Sequence, residues 1–202
     1  MDQKNSNLSI KEALHLFHQD GALDIIAGAT LLNFAFDVLN QGESTSLFTW
    51  VPILLYSSIK NKNTLPKISQ HLKDVSDRQL RLWTVIPSVA FIITLVFLGI
   101  IMLGDPLNLA QVALPVTGDL KSLAGFIFLA LVLLIPAFWI DLKQFFFYSG
   151  VAFLAAIITF FFLPPAWSVF AIAAVMLFFG GRMMVLFSRQ YTLPEPEKTD
   201  EN

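Results

Sequence analysis

The sequence predicts an all-α, polytopic helical membrane protein. Three observations carry this. Hydrophobic residues make up 55% of the 202-residue chain and charged residues only 14%, whereas a soluble domain has about 45–50% apolar and about 25% charged residues. The apolar residues are gathered into long runs, the mark of a membrane-spanning chain. The cations fall on one side of those runs. The first span nevertheless carries acids: 17-FHQDGALDIIAGATLLNFAFDVL-39 contains Asp20, Asp24 and Asp37.

Crossing about 30 Å of hydrocarbon at about 1.5 Å per residue takes roughly 20 residues. Five segments qualify: 22–40, 82–103, 122–140, 145–163 and 167–188. A sixth, 47–59, is apolar but short and is interrupted by Pro52. It spans by extending through 44–46 with local thinning of the bilayer, or it forms a re-entrant half-span. The predicted organisation is a cytoplasmic N-terminus at 1–21, a transmembrane hairpin at 22–59, a basic cytoplasmic loop at 60–81, a four-helix transmembrane unit at 82–190 and a disordered Pro-rich tail at 191–202. Residues 1–20 have no central apolar block and no small-residue cleavage site, so they are not expected to be a signal peptide.

Lys and Arg placement sets the orientation. With both termini in the cytoplasm, Lys4, Lys11, the loop residues Lys60, Lys62, Lys67, Lys73, Arg78 and Arg81, then Lys143, Arg182, Arg189 and Lys198 are inside, and only Lys121 is outside. This predicts a multi-pass protein of the cytoplasmic membrane. The six loop cations are candidates for contact with anionic headgroups.

Before the first span, 9-SIKE-12 has the form of a capping box, with Ser9 as cap and Glu12 at the third helical position. Ile10, Ala13, Leu14 and Phe17 then make one apolar stripe. This predicts a short amphipathic interfacial helix lying on the inner membrane surface, with packing beneath the bundle or docking to a partner as the rival readings. Gly21 ends it, and Asp20 caps the next helix.

Within the first span, Asp24, Gly28, Leu31 and Ala35 share one side, and Thr30, Asn33 and Asp37 the other. Neither side suits lipid, so the helix is expected at the centre of the bundle. Thr30, Asn33 and Asp37 form a candidate polar stripe. Arg182, in 178-FFGGRMMVLF-187, is two turns from the end of the last span and needs a partner or a phosphate. Asp24 is its first candidate partner and Asp141 the second.

No set of catalytic residues can be assembled, and no cofactor, metal or nucleic-acid site is expected. Cys is absent, net charge is −2, and no zincin, nucleophile-elbow or phosphate-loop motif occurs. A non-enzymatic role in interaction, assembly or membrane organisation is the leading expectation, with a homo-oligomer or a membrane-protein partner left open. The alternatives are a small transporter or channel subunit using the polar first span, then a membrane-embedded lipid enzyme.

FHQDGALDIIAG at 17–28, LPKIS at 65–69 and FSRQYTLPEPE at 187–197 together resemble a loose group of uncharacterised prokaryotic multi-pass integral membrane proteins. That pattern has an amphipathic start, a DG-x-x-D opening of the first span, a Pro-basic motif after the second segment and a basic-aromatic-Pro-Glu tail. The matching positions are Asp20, Gly21, Asp24, Pro66, Lys67, Arg189, Tyr191 and Pro194. After Pro66 the chain has Lys-Ile-Ser where the pattern has Arg and then Gly-Tyr. The resemblance implies topology and no activity.

Overall fold

The computed structural model describes residues 10–40, 51–68, 75–104 and 120–191. The helices are α1 (Ile10–His18), α2 (Ala22–Leu39), α3 (Val51–Ile59), α4 (Leu65–Ile68), α5 (Asp77–Gly104), α6 (Leu120–Trp139), α7 (Lys143–Phe161) and α8 (Pro165–Gln190). A five-residue π-helix, Lys60–Thr64, joins α3 to α4. The chain is all-α, and α2, α5, α6, α7 and α8 are long and apolar enough to cross a membrane. These are the five predicted spans, with ends within a few residues of expectation except at α5.

Helix α5 begins at Asp77, inside the segment expected as a loop. A capping box explains the extra turn. The Ser76 hydroxyl accepts the Gln79 N–H at 3.3 Å, and the Gln79 side chain accepts the Ser76 N–H at 3.2 Å. Arg78 and Arg81 therefore sit on helix, both exposed.

The sixth segment is not a full span in its described part. Nine residues of α3 rise only about 14 Å. Two contacts set its register: Lys60 meets Asp20, and Ile53 and Tyr56 line the same small cleft as Leu23 and Ala27. It therefore covers the half of the bundle nearest the N-terminus of α2.

Helix α2 is central. Of its span window 61% is buried, against 22% for Arg78–Met102. It runs antiparallel to α8 at very close range, because glycines face backbone on both helices. A Cβ on Gly28 would meet Leu177 Cγ at 2.9 Å and the Ala173 carbonyl oxygen at 3.0 Å, and one on Gly180 would meet Asp24 Cβ at 2.8 Å. Leu31, Ala35, Ala173 and Met176 are buried on these two helices, while Phe34 reaches toward Gly99 of α5. Helices α6 and α7 pair through a tight turn in which Asp141 takes φ 62, a region Asp tolerates better than most residues. Ser149 of α7 donates to the Ala130 carbonyl of α6 at 2.8 Å, and Thr159 of α7 bonds Ser168 of α8 at 2.5 Å.

Helix α1 is packed into the protein. Ala13 and Phe17 are buried with Ile68 and Phe187, and Leu80, Trp83 and Tyr191 close around them. The apolar stripe expected on the membrane surface is instead buried against protein, which is the rival placement beneath the bundle. The apolar stripe faces protein, with only Ile10 at its start exposed.

Candidate buried polar node

The end of α1, the start of α2 and the π-helix meet at one point. Gly21, at φ 76, turns the chain sharply between α1 and α2, a left-handed conformation that glycine adopts without penalty. Asp20, beside it, accepts three donors. The Ala22 N–H reaches Oδ1 at 3.1 Å, Lys60 Nζ reaches Oδ1 at 2.7 Å, and the Thr64 hydroxyl donates to Oδ2. Lys60 Nζ also donates to the Phe17 carbonyl, one of the carbonyls left open at the end of α1. The ammonium lies 4.5 Å from the Phe17 ring centroid and 5.6 Å from that of Tyr56, so two aromatic faces add cation–π attraction.

This overturns one expectation. Lys60 was placed with the headgroup-facing cations and is 0% exposed in the core. It immediately follows the apolar run of α3, so the only polar partner at its depth is the turn between α1 and α2. Burial pushes the Lys60 ammonium down from its ordinary value, and the Asp20 carboxylate opposes that. The other loop cations differ in placement. Lys62, Arg78 and Arg81 are exposed, Lys67 donates to the Ser188 hydroxyl of α8 at 2.9 Å, and Lys73 lies outside the described residues.

His18 is 1% exposed at the same place. Its Nδ1 is 3.0 Å from the Leu14 carbonyl oxygen and its Nε2 is 3.2 Å from that of Trp83. Burial, and then the Lys60 charge, push its pKa down to about 3; the two carbonyls and Asp20 oppose the shift without reversing it. The imidazole is therefore neutral in the fold, and the unfolded chain binds the extra proton below pH 6.5. The stabilisation is complete above that pH and is lost progressively as pH falls from 6.5 toward 3. In a sample with 15N-labelled imidazoles, the His18 signals should remain those of a neutral ring at pH 5. A ring that titrates near 6.5 would contradict the buried placement.

Asp24 lies one turn further along α2 and is 1% exposed. Neither of its oxygens has a hydrogen-bond partner among the described residues, nor do the buried Gln144 Nε2, Tyr56 hydroxyl and Tyr148 hydroxyl. Asp20, Gln144 and Lys60 all act electrostatically on the Asp24 carboxyl, and Asp24 acts on both tyrosines. Such groups cost about 1–3 kcal/mol each when unsatisfied.

The Asp24–Arg182 contact is not formed. Arg182 is exposed and makes no ion pair with Asp24 or Asp141. The last span does pack on Asp24, but through Gly180. Arg182 is two residues further on, about 200° around the helix, and so points away from α2. Asp141 is exposed in the α6–α7 turn. In the polar stripe, Thr30 is fully buried and donates to the Ile26 carbonyl of its own helix at 2.7 Å. Asp37 is 5% exposed, Asn33 is half-buried, and both have partners within the protein. Of the capping pair, Glu12 is exposed on α1 and Ser9 lies outside the described residues.

Tyr56, Lys60 and Thr64 recur every four residues, which could have identified one polar face running out of the apolar segment. Gln144, Tyr148 and His18 carried no comparable signal. No set of three or more His, Cys, Asp or Glu residues among those described could hold a metal ion. No protein-family model matches the chain, and no curated protein or solved structure matches it. The chain is thus characterised by its architecture, a multi-pass helical membrane protein with a polar node at one end of its bundle.

Proposed function

We propose that this protein is a non-enzymatic component of the cytoplasmic membrane that acts in interaction, assembly or membrane organisation, with both termini in the cytoplasm. One observation carries this reading: apart from Asp24, the polar groups described on the central helix and at its entry have partners within the protein. Asp20 is closed by Ala22, Lys60 and Thr64, and Thr30 by its own helix. The apolar crevice lined by residues of α2, α5, α6 and α7 includes none of Thr30, Asn33 and Asp37. A second reading, a small transporter or channel subunit, is favoured only by Asp24 and its neighbours without partners.

The absence of Cys makes one experiment decisive. Single cysteines at 24, 30 and 33 in membrane vesicles are treated with a membrane-impermeant thiol reagent. The expected result is no modification at any of the three from either side. Modification at 30 or 33 would show a solvated path and overturn the sealed-bundle reading. Modification at 24 alone would favour the transport reading with Asp24 as its binding group.

A further inference from the structure

The buried polar atoms without partners belong to one neighbourhood. Among the described residues they are both Asp24 oxygens, Gln144 Nε2 and the hydroxyls of Tyr56 and Tyr148. They come from three helices, α2, α3 and α7. Gln144 comes near enough to act on the Asp24 carboxyl without completing a hydrogen bond, and both tyrosines feel the Asp24 charge. Helix α8 closes the remaining side with backbone alone. A Cβ on Gly180 would lie 2.8 Å from Asp24 Cβ, and Arg182 is exposed on another face. Asp24 is thus held away from water and reached by no cationic side chain.

Counting charge shows what is needed there. Asp20 and Lys60 pair at 2.7 Å and cancel, and the buried His18 imidazole is neutral. Asp24 adds one negative charge with nothing to balance it. A bare carboxylate away from water is too costly to keep and takes up a positive charge instead. One charge calls for a monovalent cation, and no cluster of three acidic or imidazole ligands is present among the described residues to favour a multivalent metal. The carboxylate and phenol oxygens are hard ligands, and a flip of the Gln144 amide presents its oxygen to the same place. We propose that Asp24 is the binding site for one monovalent cation, a proton or a sodium ion, where α2, α3, α7 and α8 meet. This rests on the sealed-bundle reading, in which water does not reach Asp24. The thiol reagent tests that access separately, so failure of the seal and failure of the site are told apart.

The test measures the unfolding constant of the full chain by urea in a neutral detergent, for the wild type and for Asp24→Asn. Their ratio removes the contributions of His18, Lys60 and the tyrosines, which both proteins share. If the cation is a proton, the ratio should rise about tenfold per pH unit through neutrality, because folding then takes up one proton. If it is sodium, the ratio should fall about tenfold for each tenfold rise in sodium chloride, with choline chloride holding the ionic strength. Asp37→Asn, which removes an acid that already has partners, should keep the wild-type dependence. A ratio flat against both pH and sodium would mean that folding takes up no cation at Asp24 and would overturn the proposal. Should Asp24→Asn not fold, the wild type labelled with 13C at its aspartate carboxyls is read alone. It should show either the infrared carbonyl band of a protonated carboxyl at neutral pH or a loss of stability when choline replaces sodium. Neither result in the wild type would overturn the proposal equally.

Discussion

Replacing Lys60 with methionine should destabilise the folded bundle by about 3–5 kcal/mol, measured as loss of structure on graded addition of denaturing detergent. The side chain is 0% exposed, so methionine retains most of its packing and the change isolates the charge. What remains is an Asp20 carboxylate stripped of its counter-charge and a Phe17 carbonyl stripped of its donor. Asp20→Asn should be milder, because the amide oxygen still accepts from the Ala22 N–H and Lys60, and the amide nitrogen can donate to a Thr64 hydroxyl turned to accept. The double variant Asp20→Asn with Lys60→Met should recover part of the loss, since removing both charges also removes the desolvation each suffers. If the double variant is as unstable as the sum of the two single variants, the pair is not coupled and the node does not lock α1 to α3.

The second large effect is expected at the glycine seam. Gly180→Leu should separate α2 from α8, because a Cβ at that site would lie 2.8 Å from Asp24 Cβ and 2.9 Å from the Ile25 nitrogen. Backbone cannot yield as the far end of a side chain can, so overpacking here should cost at least the usual 1–3 kcal/mol or so. Gly21→Ala should fail for two reasons at once. Its φ of 76 disfavours any side chain, and its Cβ would strike the Gly180 carbonyl oxygen. Gly181→Ala is the matched control: nothing lies within 4 Å of a Cβ there, and in a helix alanine is preferred by about 1 kcal/mol. Thermal unfolding in detergent should thus rank Gly181→Ala at or above the wild type and both seam variants well below it. A wild-type-like Gly180→Leu would show that the seam is looser than described.

These two sites also show where the sequence was legible. The five spans were readable because length and apolar runs are dictated by the bilayer, and the central place of α2 was readable because no face of it suits lipid. The close approach of α2 and α8 was foreshadowed by Gly28, Ala35, Gly180 and Gly181. What could not be read was rotation. Asp24 and Arg182 match in depth, but depth says nothing of the angle at which α8 presents its faces, and Gly180 rather than Arg182 is turned inward. The destiny of Lys60 was hidden for a related reason. A basic residue at the end of an apolar run signals orientation by its charge, and only the return of α3 beneath α1 shows that the charge is used inside. The capping box at Ser76–Gln79 is masked in the sequence by the polar segment around it.

The order in which the chain is made bears on the node and the seam alike. Asp20 is translated 40 residues before Lys60, and Gly21 long before the last helix that covers it. At about 5–20 residues per second, α2 waits roughly seven to thirty seconds for α8. During that interval the most buried helix of the finished protein is its first and most polar one, standing in the bilayer without its neighbours. The Lys60 contact comes early and α8 comes last, so biogenesis proceeds as a latch followed by a lid. A ribosome stalled after residue 190 would hold every helix of the bundle yet leave α8 partly in the exit tunnel, with the glycine seam still open.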